Sequence, residues 1–165
     1  MKRRLPLEGM KVLDFTIALA GPFTAWQLAD MGAEVWKIER AGGGDQCRAW
    51  DPFLNDLGTM FVSYNKNKKS VEMNLAAPEG KAVIYEMAKQ ADVVIENFKS
   101  GSIDRLGLGY EKLKELNPRL VFISLSGFGA SGPLRKLPCY DAIAEARSGF
   151  AASNGDPEGP PMKAG

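Results

Sequence analysis

The chain has 165 residues, 45% of them hydrophobic and 25% charged, with a formal net charge of +1, which is the composition of an ordinary globular domain large enough to enclose one core. Near-neutral charge with both signs interspersed excludes a protein built mainly to hold a nucleic-acid backbone or an anionic membrane, so neither partner is expected. Histidine is absent, which removes any histidine-centred triad or metal site and leaves chemistry to carboxylates, backbone amides or residues outside the chain.

In chain order, Lys11 to Phe15 and Glu34 to Ile38 read as short strands, and Phe23 to Met31 between them carries the apolar spacing of a helix. A Gly- and Asp-rich loop from Ala41 to Asp56 leads to a strand over Ser70 to Leu75, then to a helix over Pro78 to Gln90 with proline in its first turn. Val93 to Glu96 is the next strand and Ile103 to Leu106 a short helical segment. Tyr110 to Leu116 is an amphipathic helix ended by Asn117 and Pro118, and Leu120 to Ser126 is a further strand. The tail from Ala151 to Gly165 is rich in Gly and Pro and shows no clear element.

Strands rich in Val, Ile and Phe that alternate with helices predict an α/β fold, a Rossmann-like, mostly parallel sheet covered by helices on both faces. The basic start, Met1 to Gly9, is interrupted by Pro6, Glu8 and Gly9 where a signal peptide would be continuously apolar, and no stretch approaches membrane-spanning length. Cys47 and Cys139 are too few and too far apart for a disulfide framework or a zinc site, so a reducing cytoplasm is expected.

Gly127 to Gly132 (GFGASG) matches the dinucleotide fingerprint, but Pro133 stands where the helix should already be running, so a structural turn is the better reading. Glu39 and Arg40 end the second strand at the carboxyl edge, where open α/β sheets bind ligands. On pattern alone they read as a solvated charge pair. Asn97 and Phe98 leave another strand at the same edge, with Arg105 beyond them. An amide, an aromatic and a basic residue there suit a pantetheine or adenine group and a phosphate, although a capped helix with a core phenylalanine fits the pattern equally well. The lysines of Asn65 to Ser70 read as a solvated loop.

Val12 to Pro22 (VLDFTIALAGP), Gly32 to Arg40 (GAEVWKIER) and Asp92 to Leu108 (DVVIENFKSGSIDRLGL) together resemble the family III CoA-transferases, the group that includes formyl-CoA transferase and carnitine CoA-transferase. The resemblance runs from Leu7 to Gly165. It implies that the chain, residues 1–165, is the N-terminal part of the large CoA-binding domain of an interlocked homodimer whose second domain lies elsewhere. By the same resemblance Arg40 contacts the nucleotide end of CoA, the segment around Met73 runs beside the adenine, and Asn97, Phe98 and Arg105 line the CoA site. Tyr140 would approach the CoA chain and Asp141 the reacting acyl group.

The implied reaction moves CoA from an acyl-CoA thioester to a carboxylic acid, with the thioester as substrate and no cofactor or metal. The nucleophile in that family is an aspartate expected within about ten residues after Gly165, the range over which motif spacing can be trusted, so no catalytic residue is assigned in this chain, which alone is expected to be inactive and poorly stable. Pro138 and Leu19 stand where formyl-CoA transferase has a lysine and a glutamine, which weighs against formate and oxalate as substrates and leaves CoA in place. The acyl-CoA racemases share the fold but need a histidine, and a non-catalytic nucleotide-binding module is the remaining alternative.

Overall fold

Short apolar strands that alternate with helices favour a parallel sheet, because each helix carries the chain back across one face to start the next strand. The computed structural model of the protein, which describes residues 4–164, has that arrangement. Met1 to Arg3 and Gly165 lie outside the described residues. The chain divides into two compact units, Met1–Leu125 and Ser126–Gly165.

In the first unit β1 (Lys11–Asp14), α1 (Ala20–Asp30) and β2 (Glu34–Arg40) are followed by a short antiparallel pair, β3 (Phe53–Leu54) and β4 (Leu57–Gly58). Then come α2 (Thr59–Tyr64), β5 (Lys68–Met73), α3 (Pro78–Ala88), β6 (Val93–Glu96), α4 (Ser102–Arg105), α5 (Tyr110–Leu116) and β7 (Val121–Ser124). The main sheet has five parallel strands in the order β5-β2-β1-β6-β7. The chain therefore starts in the middle, builds outward to β5, and returns to the other side of β1.

Because successive strand residues face opposite ways, the sheet feeds two separate cores. Leu13, Ile38 and Val94 pack with Ile84 and Ala88 of α3, Ile103 of α4 and Leu113 of α5. Val12, Val35, Val93 and Ile95 pack against Ala25 and Ala29 of α1, whose small side chains let that helix lie close to the sheet. The expected α/β sheet with helices on both faces is what the protein forms.

Boundaries differ from the sequence reading for local reasons. Helix α1 begins at Ala20, three residues before the expected Phe23, since Pro22 in the first turn gives up only an amide that has no intrahelical partner there. Strand β5 starts at Lys68 instead of Ser70, because Lys68 is an anchored strand residue and not a solvated loop lysine. The stretch from Ala41 to Asp56 contains a 3₁₀ turn, Gln46–Ala49, and strand β3, which turns into β4 through Asn55 and Asp56, both at positive φ. Helix α2, six residues of mixed β-branched and aromatic character, has poor intrinsic propensity. It is held by Tyr64 against Phe23 and Trp26, and by Arg48 over the ring of Phe61.

The second unit holds the turn from Gly127 to Gly132, helix α6 (Asp141–Ser148) and a 3₁₀ turn at Ala151–Ser153 inside the tail expected to lack elements. No helix opens after Gly132 until Asp141, so the GFGASG run lacks the helix N-terminus on which a pyrophosphate would sit. No described residue of this unit is buried. Among the described residues, no helix is long and apolar enough to cross a membrane.

Candidate functional site

The strand order reverses between β1 and β6, and the connections leaving those strands diverge, which opens a crevice at the carboxyl edge. A cavity of about 460 Å³ lies along that edge. Its wall comes from Phe15, Thr16 and Ile17 after β1, Glu39 and Arg40 at the end of β2, Met73 at the end of β5, and Phe98 after β6.

Arg40 and Met73 are direct register partners across β2 and β5, so their separate appearance in the sequence becomes one corner of the cavity. Arg40 is exposed and makes no ion pair among the described residues. Phe98 packs against the larger core and also lines the cavity, so its structural and functional readings coexist. Asn97 spends its amide on the loop after β1. Its Oδ1 accepts the Ile17 N–H at 2.8 Å and its Nδ2 donates to the Ile17 carbonyl at 2.7 Å. Arg105, in α4, is exposed, donates to Ser102 Oγ at 2.8 Å, and is not among the residues lining the cavity. Tyr140 and Asp141 belong to the second unit: Tyr140 is 69% exposed just before α6, and the Asp141 carboxylate pairs with Lys163 at 3.0 Å.

Below the cavity lies a network of buried charges that the sequence reading did not anticipate. Lys37, 1% exposed, donates to Asp45 Oδ2 and to the Thr16 carbonyl, each at 2.9 Å. Lys68 pairs with Asp14 at 2.8 Å and also donates to the Pro22 carbonyl and Asn65 Oδ1. Glu39 is buried, not solvated. It accepts a bidentate fork from Arg48 at 2.7 and 2.8 Å, the Ser70 hydroxyl at 2.7 Å and the Asp45 N–H at 2.9 Å. A signal for part of this was present, since Lys37 and Glu39 fall on the same face of β2 as the core residue Val35. Their partners were not visible, because Asp45 and Arg48 come from a loop whose path no periodicity defines.

Burial pushes the Glu39 carboxyl upward, but the hydrogen bonds from Arg48, Ser70 and Asp45 outweigh it and hold the group at about 2. For Lys68, burial wins over the attraction of Asp14 and lowers the ammonium from its ordinary value. Glu96 ends β6, buried and without a cationic partner among the described residues. Burial raises its carboxyl despite hydrogen bonds from Ser124 Oγ and the Phe98 N–H. Cys47 is pushed up to about 12 by burial and by the Asp45 charge beside it, so it is an inert thiol at neutral pH.

These groups build the turn between β1 and α1. Ala18 sits at φ 65°, a left-handed conformation that costs a non-glycine residue roughly 1–2 kcal/mol. Its N–H donates to Asp45 Oδ1 at 3.2 Å. Gly21 permits the close approach of α1 to this turn, since a Cβ there would lie 2.3 Å from Thr16 Cβ. The cavity is therefore a wall of backbone and aromatic surface over a rigid, charge-balanced floor, with Arg40 as an uncommitted cation at its rim. It can hold an elongated ligand that has an anionic end.

The family model for CoA-transferase family III matches residues 7–165. The chain belongs to CoA-transferase family III. Among curated family III relatives it is 44% identical over 161 residues to the succinyl-CoA:glutarate CoA-transferase of Mus musculus, covering 97% of this chain and 37% of the relative. It is 43% identical over 164 residues to the acetyl-CoA:oxalate CoA-transferase of Acetobacter aceti, covering 99% of this chain and 42% of the relative. The crystal structure of a CaiB/BaiF family protein from Brucella suis superposes with a TM-score of 0.93 at 36% identity, covering 99% of this chain and 44% of that one. The chain thus spans about two fifths of the length of the curated relatives it matches.

Proposed function

We propose that residues 1–165 supply the CoA-binding part of an enzyme that moves CoA from an acyl-CoA thioester to a carboxylic acid. The observation that carries this reading is the cavity at the switch point of the sheet, where Arg40, Met73 and Phe98 meet. In this reading Arg40 takes phosphate at the nucleotide end, the Met73 segment runs beside the adenine, and the loop from Asn97 and Phe98 to Arg105 borders the CoA. Tyr140 and Asp141 are assigned to the CoA chain and the acyl group from the family resemblance alone. The relatives named for glutarate and for oxalate are almost equally similar to this chain, so the acceptor is assigned only as a carboxylic acid. The resemblance also supports a homodimer for the full-length protein, in which residues 1–165 belong to one larger domain.

The proposed nucleophile is an aspartate beyond Gly165. Its carboxylate attacks the donor thioester carbonyl, the carbon–sulfur bond breaks, and an enzyme-bound mixed anhydride and CoA thiolate result. The thiolate then attacks the aspartyl carbonyl and releases the donor acid as its carboxylate. The acceptor carboxylate opens the aspartyl–CoA thioester, giving a second anhydride, and the returning thiolate forms the new acyl-CoA and frees the aspartate. Each step needs oriented N–H donors for a developing oxyanion. No cofactor or metal enters any step.

The test is to supply the full-length protein with acetyl-CoA or succinyl-CoA and with glutarate or oxalate, following exchange of CoA by chromatography and trapping the intermediate with hydroxylamine. New acyl-CoA and a hydroxamate on an aspartate after Gly165 are the expected results. Modification at Asp141, or at any other aspartate before Gly165, would overturn the placement of the nucleophile, and hydrolysis without transfer would overturn the reaction.

A further inference from the structure

Asn97 lies where the β1 and β6 ladders part. The last backbone bond between the two strands' extensions runs from the Phe15 N–H to the Ile95 carbonyl at 2.8 Å. Two residues further on, the carboxamide of Asn97 takes over, with both its functions spent on the N–H and the carbonyl of Ile17. An amide so paired imitates one more rung of backbone; it keeps one N–H and one oxygen lone pair, but Asn97 is not among the residues lining the cavity.

The neighbours of Ile17 are fixed in the same way from the other side. The Thr16 carbonyl takes Lys37 at 2.9 Å, the Thr16 N–H goes to Asp14 Oδ1 at 2.9 Å, and the Ala18 N–H goes to Asp45 Oδ1 at 3.2 Å. The turn from Thr16 to Ala18 thus has its backbone shape set by side chains and not by a ladder. Thr16 and Ile17 are also part of the cavity wall.

We propose that Asn97 is a positioning residue: its side chain acts through Ile17 to hold the β1–α1 turn against the bound thioester, and does not itself grip CoA. This rests on the reading of the cavity as a CoA site. Without the amide, the Ile17 N–H and carbonyl lose their partners at the cavity wall, and the turn is free to leave the shape that Ala18 adopts only under constraint. The effect falls on the geometry of reaction more than on the strength of CoA binding.

The experiment uses the full-length protein with Asn97→Ala and Asn97→Asp, the second keeping size and the acceptor but setting a carboxylate oxygen against the Ile17 carbonyl. Free CoA affinity is measured by calorimetry, exchange of the Ile17 amide by mass spectrometry, and turnover with the donor and acceptor on which the unaltered protein acts. Positioning predicts a kcat lower by roughly 100-fold, with KM and the Kd for free CoA changed by no more than about twofold. The Ile17 amide should exchange at least about tenfold faster in Asn97→Ala. A Kd for CoA raised more than about tenfold with kcat and Ile17 exchange unchanged would make Asn97 a ligand and overturn the proposal. Should both variants fail to fold, Ile17 exchange in the unaltered protein decides: slow exchange supports the clasp, and exchange as fast as an exposed loop refutes it. Failure of the unaltered protein to bind CoA would refute the CoA reading by itself, while the Ile17 measurement still judges the clasp.

Discussion

Glu39 and Glu96 both end strands at the cavity edge, both are buried, and their environments drive them in opposite directions. Glu39 has a folded value depressed to about 2 from the ordinary 4.5, so its contribution to stability is complete above the unfolded value and is lost as pH falls from about 4.5 to 2. Glu96 is raised by burial, so its contribution is complete below the unfolded value and is lost as pH rises through the folded one. Glu39→Gln should therefore destabilise the protein at pH 7 by about 3 kcal/mol, because it strands the Arg48 guanidinium. Glu96→Gln, which can still accept from the Phe98 N–H and donate to Ser124, should leave stability at pH 7 unchanged or raise it. Thermal denaturation of both variants at pH 7 checks the pair, and equal destabilisation would show that the two carboxylates do not differ as described.

At the scale of elements, β5 is an edge strand whose first residue reaches back under the sheet. The Lys68 side chain joins Asp14 of β1, the Pro22 carbonyl of α1 and Asn65 after α2, so three elements share one ammonium. Lys68→Met should cost about 3–5 kcal/mol, since it leaves the Asp14 carboxylate buried without its cation. Urea denaturation measures this, and a loss below about 1 kcal/mol would mean that the cluster is not a structural tie. Gly44 serves the separate Glu39–Arg48 pair, because at φ +64° a Cβ would lie 2.6 Å from Glu39 Oε2 and 2.8 Å from Arg48 Nε.

The same elements show what could be read in advance. The parallel sheet was legible because Val12, Val35, Val94 and their neighbours alternate between two cores, and a period of two survives in the sequence. The positions of Arg40 and Phe98 at the carboxyl edge were legible, since strand ends follow from strands, whereas Met73, read inside a strand over Ser70 to Leu75, turns out to end β5. Helix α2 and the role of Lys68 were not legible. Short β-branched segments form helices only when tertiary contacts impose them, and a lysine four residues after an aromatic carries no mark of the buried aspartate it will meet. The pairing of Asn97 with Ile17 was not legible either, because a side chain that completes a backbone ladder looks in sequence like one that meets a ligand.

At the scale of the whole molecule, the two units differ in what they bury. The first has two apolar cores, whereas in the described part of the second Leu137, Tyr140, Ile143, Phe150 and Met162 are all exposed. Local stability follows buried apolar contact. Hydrogen exchange on the 165-residue chain should therefore show residues 126–164 exchanging well before β1 and β6, and uniform protection across both units would contradict that ordering.

The central claim is that CoA sits along the carboxyl edge of the sheet with Arg40 on phosphate. Calorimetric titration of free CoA into the full-length protein and its Arg40→Ala variant tests it most directly. Loss of a charge-assisted contact predicts weaker binding by about 1–3 kcal/mol, roughly a 5- to 150-fold rise in Kd, with thermal stability unchanged because Arg40 is exposed and pairs with no carboxylate among the described residues. An unaltered Kd in the variant would contradict the placement of CoA at this edge.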